Sequence, residues 1–139
     1  MNTRFGSLAL LVAILACGTA EADVSSEWKG LAGLEIQRTA TGAAREGHMR
    51  IVDAAIARAR AAANGSSATG SHGTASDRED AAIAVAVFAV MEYLLPESRE
   101  ELGARLAITF SRIPETDAKA LGAAYGRAVA AEVLANAER

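Results

Sequence analysis

The side chains with which a search for chemistry begins are two histidines, His48 and His72, and one cysteine, Cys17. A zinc site needs three or four converging Cys, His or carboxylate ligands. The histidines fall on different kinds of segment, one reading as helix and the other as flexible loop. They lack a Cys partner and the His-Glu-x-x-His spacing that sets two ligands on one helical face. Gly70-Ser71-His72-Gly73 places a nucleophile beside a base. Neighbours on a Gly/Ser loop cannot hold the geometry that attack requires, so the tract reads as linker. Glu100 and Glu101 are adjacent on a predicted helix and point in different directions, which rules them out as an acid/base pair. No Gly-x-x-x-x-Gly-Lys phosphate loop or dinucleotide fingerprint is present. Arg45, Arg50, Arg58 and Arg60 could grip a phosphate or an anionic lipid, but they are dispersed around one predicted helix, with Arg50 and Arg58 reading as solvated. Trp28 could stack on a ligand, and on its apolar stripe it reads as a core anchor. The residues therefore assign no catalytic, cofactor-binding or metal-binding position.

The elements available to position any site are helical. Of 139 residues, 34 are Ala and only six are aromatic, and Ala is the strongest helix former whereas β domains lean on aromatic and β-branched residues. The length is that of one domain with a single core. A net charge of −3, from 14 Lys and Arg against 17 Asp and Glu, gives no electrostatic footprint for nucleic acid. Residues 1–22 read as a secretory signal: Arg4, an apolar run over 5–18, and Ala20-Glu21-Ala22 as a small-x-small cleavage site. The run is shorter than the roughly 20 apolar residues that span a bilayer, so no membrane span is expected after cleavage. Ile14-Leu15-Ala16-Cys17 offers a second route, in which Cys17 is acylated and anchors the protein to lipid. Cleavage at Ala22 removes the one cysteine, so the exported domain, periplasmic or secreted, must be held by packing rather than by disulfides.

Residues 23–139 read as one antiparallel bundle of four to five helices. The first is short and interrupted by Gly30 and Gly33, with a break over 39–42. The second covers 43–63, its apolar face marked by Met49, Val52, Ile56 and Ala59. A flexible Gly/Ser/Thr loop follows over 64–76. Ser76-Asp77-Arg78-Glu79 reads as a capping box that restarts the helix, and residues 81–91 then run without a polar side chain, as befits the most buried element of a bundle. Pro96 opens the next helix with Ser98-Arg99-Glu100-Glu101 as a second capping box, and Leu102, Leu106, Phe110 and Ile113 form its stripe. Thr116 or Asp117 caps a last helix whose buried stripe is Leu121, Tyr125, Ala128 and Val129. Gly122 and Gly126, spaced i and i+4, let a neighbouring helix approach closely.

Ile51-Val52-Asp53-Ala54-Ala55-Ile56-Ala57-Arg58-Ala59, the run from Ala81 through Tyr93-Leu94-Leu95-Pro96, Ile113-Pro114, and Gly122, Gly126, Val129-Ala130 and Val133-Leu134 together resemble the N-terminal helical half of vanadium-dependent haloperoxidase-like proteins of the PAP2 acid phosphatase superfamily. Asp53 stands where that family often carries His, and Ala57-Arg58 where it often carries an aromatic followed by Asp. The resemblance implies an exported helical scaffold portion of a phosphatase or haloperoxidase, inactive alone. The family's anion-holding Lys, two Arg, Ser-Gly pair and His come from its C-terminal half, so no catalytic residue carries over. Vanadate or phosphate enters only with such a half, and the implied partners are that missing domain or a second copy of the chain. The alternative expectation is a free-standing periplasmic or secreted helical module that binds a partner through an apolar groove.

Overall fold

The computed structural model describes residues 23–65 and 73–139, and within them every regular element is a helix. The expected signal segment, Cys17, Ser71 and His72 lie outside the described residues. Helix α1 (Val24–Thr39) is capped by Asp23, whose Oδ1 accepts the Ser26 amide at 2.7 Å. It runs unbroken through Gly30 and Gly33, contrary to the interruption expected from the sequence. Each glycine costs about 1 kcal/mol against Ala, but Trp28, Ala32 and Ile36, at i, i+4 and i+8, are wholly buried, and that stripe holds the helix together. A two-residue link, Ala40 and Thr41, leads to Gly42, whose φ of +54° is comfortable only for glycine.

Helix α2 (Gly42–Gly65) buries Val52, Ala55, Ile56, Ala59 and Ala63. Helix α3 (Ala75–Leu94) is capped two residues before the position read from the sequence. The cap is Thr74, not Ser76: its Oγ1 accepts the Asp77 amide at 3.0 Å, and the Asp77 carboxylate accepts the Thr74 amide at 3.2 Å. Starting earlier turns Arg78 inward, where its Nε donates to the Ala63 carbonyl oxygen at 2.8 Å and satisfies an orphan acceptor at the end of α2. Glu79 is thereby left to pair with Arg60 at 2.9 Å. The expected loop of 64–76 shrinks accordingly, since Asn64, Gly65, Ala75 and Ser76 are helical.

A 3-10 turn over Pro96–Ser98 leads into α4 (Arg99–Arg112). The second expected capping box does not form. Ser98 lies at φ −89°, ψ 0°, outside the extended region a capping residue occupies, and its hydroxyl donates instead to Glu35 Oε2 of α1 at 2.7 Å. Helix α5 (Asp117–Ala137) is capped by Thr116. Its buried stripe also differs from expectation: Ala128 is exposed, Leu121 and Tyr125 are half-buried, and Ala118, Gly122, Ala123, Gly126, Val129 and Val133 carry the contact.

Consecutive helices alternate in direction. Arg38 of α1 faces Glu101 of α4 while Glu27 faces Arg112, and Lys29 of α1 pairs with Asp53 of α2. Helix α3 is the hub: it touches each of the other four, and Ala81 to Val87 are all buried. Its most extensive partner is α5, and that pair runs parallel, because Gly122 faces Arg78 and Gly126 faces Ala82 and Ala86. A methyl group at Gly122 would strike the Arg78 carbonyl, and at Gly126 it would stand 2.5 Å from the Ala82 carbonyl oxygen. The two glycines thus permit backbone-to-backbone contact between the central helices, as their spacing suggests.

Candidate functional site

Among the described residues, two concavities that open to the surface stand out. The first, about 300 Å³, lies where the start of α1, the end of α2 and the start of α3 meet. Four of its seven polar side chains are already engaged. Asp23 caps α1, while Arg60 and Asn64 donate to the two oxygens of Glu79 at 2.9 and 3.1 Å. Asp80 has no hydrogen-bond partner among the described residues. Burial raises its carboxyl above the ordinary aspartate range, the charges of Glu79, Asp77 and Asp23 add to that, and Arg112 opposes them. The Ser25 and Ser76 hydroxyls also line this concavity, but among the described residues no hydrogen bond joins either to Asp80 or Glu79, so no nucleophile is paired with a base there and the place is a helix junction. Among the described residues no three His, Cys, Asp or Glu come together as metal ligands.

The second concavity is an apolar groove of about 290 Å³. Val85, Phe88 and Ala89 of α3 form its floor, Leu106 and Phe110 of α4 one wall, and Glu92 and Arg127 its charged rim. The groove exists because α4 divides its apolar residues between two directions. Leu102 points into the core beside the buried Thr109, and Ile113 is buried at the C-cap, whereas Leu106 and Phe110 are left half-buried. Gly103 keeps the wall low opposite the Phe88 ring. Phe110 is fixed from behind by Lys119, a buried lysine that donates to the Phe110 carbonyl at 2.8 Å, pairs with Glu115, and places its ammonium 5.0 Å from the ring centroid. The wall is therefore preformed.

The residues singled out from the sequence do not converge. His48 is half-buried on α2, and its Nδ1 is enclosed without a hydrogen-bond partner among the described residues. Arg45 donates to the carbonyls of Gln37 and Ala40, both at 3.1 Å, and so closes the end of α1. Arg58 pairs with Glu132 of α5 and Arg60 with Glu79, so these arginines act at three separate places. Glu101 lies 3.8 Å from Arg38, while Glu100 points to solvent. Trp28 is wholly buried and donates from Nε1 to Thr109 Oγ1 at 3.1 Å, which makes it the core anchor its stripe implied. Missed at the sequence level was the polar staple between α1 and the 3-10 turn that precedes α4. Glu35 accepts from both Ser98 and Arg38, and the Ser98 hydrogen bond, followed by Arg38, holds its carboxyl below the usual range despite burial. Glu35 and Ser98 are 63 residues apart in the chain, so no local pattern could announce the pair.

Comparison with known proteins gives no match to a family model, to a curated protein or to a solved structure. Among the described residues no helix is long and apolar enough to cross a membrane.

Proposed function

We propose that this chain is an exported helical module that holds a partner in the α3–α4–α5 groove and performs no chemistry itself. The observation that carries this reading is the groove: a preformed apolar cavity with a charged rim, on a molecule whose other large exposed apolar side chains, Leu34, Tyr93 and Ile108, are scattered over three helices. A scaffold half torn from a larger core would instead show one broad apolar face. The test is a photocrosslinking amino acid placed at Ala89 in the expressing cell, with the exposed Ala61 of α2 as control. A single adduct from Ala89 and none from Ala61 supports the reading, and equal or absent adducts from both refute it. An adduct to the chain itself identifies the partner as a second copy.

A second reading keeps the chain as the N-terminal scaffold of a PAP2 or vanadium haloperoxidase-like protein, with vanadate or phosphate held by a C-terminal half. It is supported by the resemblance and by the burial of Gly122, Gly126, Val129, Ala130 and Val133 at the α3–α5 contact. Any close-packed bundle would bury such residues, which is why it ranks second. Reading the DNA beyond codon 139 tests it, since Lys, Arg-Pro and Ser-Gly-His motifs must follow in frame.

A further inference from the structure

The groove also constrains what its occupant is made of. The residues that α3 contributes to it, Val85, Phe88 and Ala89 on the floor and Glu92 on the rim, recur at i, i+3, i+4 and i+7 and so lie along about 10 Å of one helical face at 1.5 Å per residue. Leu106 and Phe110, one turn apart on α4, run alongside them. A trough of that length between two helices accepts two turns of a third, anchored by three apolar side chains. Beyond the groove's edge on α5, Ala120, Ala124 and Ala131 share the Arg127 face and are all exposed, so that face carries small side chains at these positions. The rim charges are unequal. Glu92 is engaged by Arg99 at 2.8 Å, whereas Arg127 has no ion-pair partner among the described residues. The free charge beside the apolar floor is therefore positive.

Resting on the reading of the groove as a partner-binding face, we propose that its occupant is a short amphipathic helix of a partner protein, with apolar residues at i, i+3 or i+4, and i+7 and an acidic residue opposite Arg127. An amphiphile such as a fatty acid offers the same pairing of tail and anion, but the concavity opens to the surface and would leave an acyl chain in contact with water, whereas a helix covers it with its own backbone and flanking side chains.

The probes are two fluorescent, helix-stabilised peptides, each with Leu at i, i+4 and i+7 and differing only in a flanking Glu or Lys, titrated by anisotropy against the full chain with decanoate as competitor. The Glu peptide is expected to bind about fivefold more tightly than the Lys peptide at low salt. Arg127→Glu, at an exposed position, should reverse that order, and Phe88→Asp should abolish both. Equal binding of the two peptides, an order unchanged by Arg127→Glu, or binding of decanoate with neither peptide overturns the proposal. If neither peptide binds while Ala89 still yields its single adduct, the helical occupant is wrong and the partner-binding reading stands. If the adduct is missing as well, both fall.

Discussion

Two carboxyls show how position in the fold divides residues of the same chemistry. Glu35 is held below its ordinary pKa by the Ser98 hydroxyl and then by Arg38, and its side chain is only 12% exposed. A group stabilised in its ionised form contributes fully above its unfolded-state pKa, and that contribution is lost as pH falls through the lower folded value. Asp80 has the opposite sign: burial and neighbouring acids raise it, so its ionised form costs stability at neutral pH, and protonation relieves that cost as pH falls through the raised value. Thermal melts between pH 7 and pH 3 should accordingly show a shallower acid loss for Glu35→Gln than for the parent. Asp80→Asn should melt higher at pH 7, with its advantage vanishing in acid. A parallel shift of both variants at every pH would contradict this assignment. Neither role was legible from sequence. Ser98-x-x-Glu101 has the composition of a cap, but the 3-10 turn before α4 takes the backbone out of capping geometry, and the hydroxyl finds a partner in a distant helix.

At the level of the helix, identical glycines carry opposite consequences. A methyl group added at Gly30 or Gly33 would meet nothing within 4 Å, whereas one added at Gly122 or Gly126 would meet the backbone of α3. Gly30→Ala should therefore stabilise by about 0.5–1 kcal/mol, because only the helical cost of glycine is removed. Gly126→Ala should destabilise by about 1–3 kcal/mol or more, because α3 and α5 must separate. Urea denaturation measures both, and a neutral Gly126→Ala would show that the contact is loose. The i, i+4 spacing made the close approach readable. The partner was not readable, because two parallel helices separated by a whole intervening helix leave no local trace. The α5 stripe shows the same limit: Leu121, Tyr125 and Ala128 follow a good helical period, but the glycines rotate the contact face so that Ala128 faces water.

For the molecule as a whole, the fold class was the most legible feature, since alanine content, apolar periodicity and proline stops all argue for helices and five form among the described residues. The groove was least legible, because it arises from how three helices divide their apolar faces. Because α3 touches every other helix, unfolding should be a single transition. The test is whether Trp28 fluorescence, which reports the α1–α4 contact, and far-ultraviolet circular dichroism, which reports all helices, give the same midpoint. Separate midpoints would mean that α1 detaches first.

The alternating course of the five helices among the described residues has one further consequence. An odd number of passes leaves the chain at the pole opposite to where it entered: Asp23 sits beside Asp80 near the start of α3, and Glu138 reaches Tyr93 near its end. With α5 21 residues long, the two poles stand roughly 30 Å apart. Labels fused before Asp23 and after Arg139 would thus be held apart like the ends of a strut, with the groove on the flank between them.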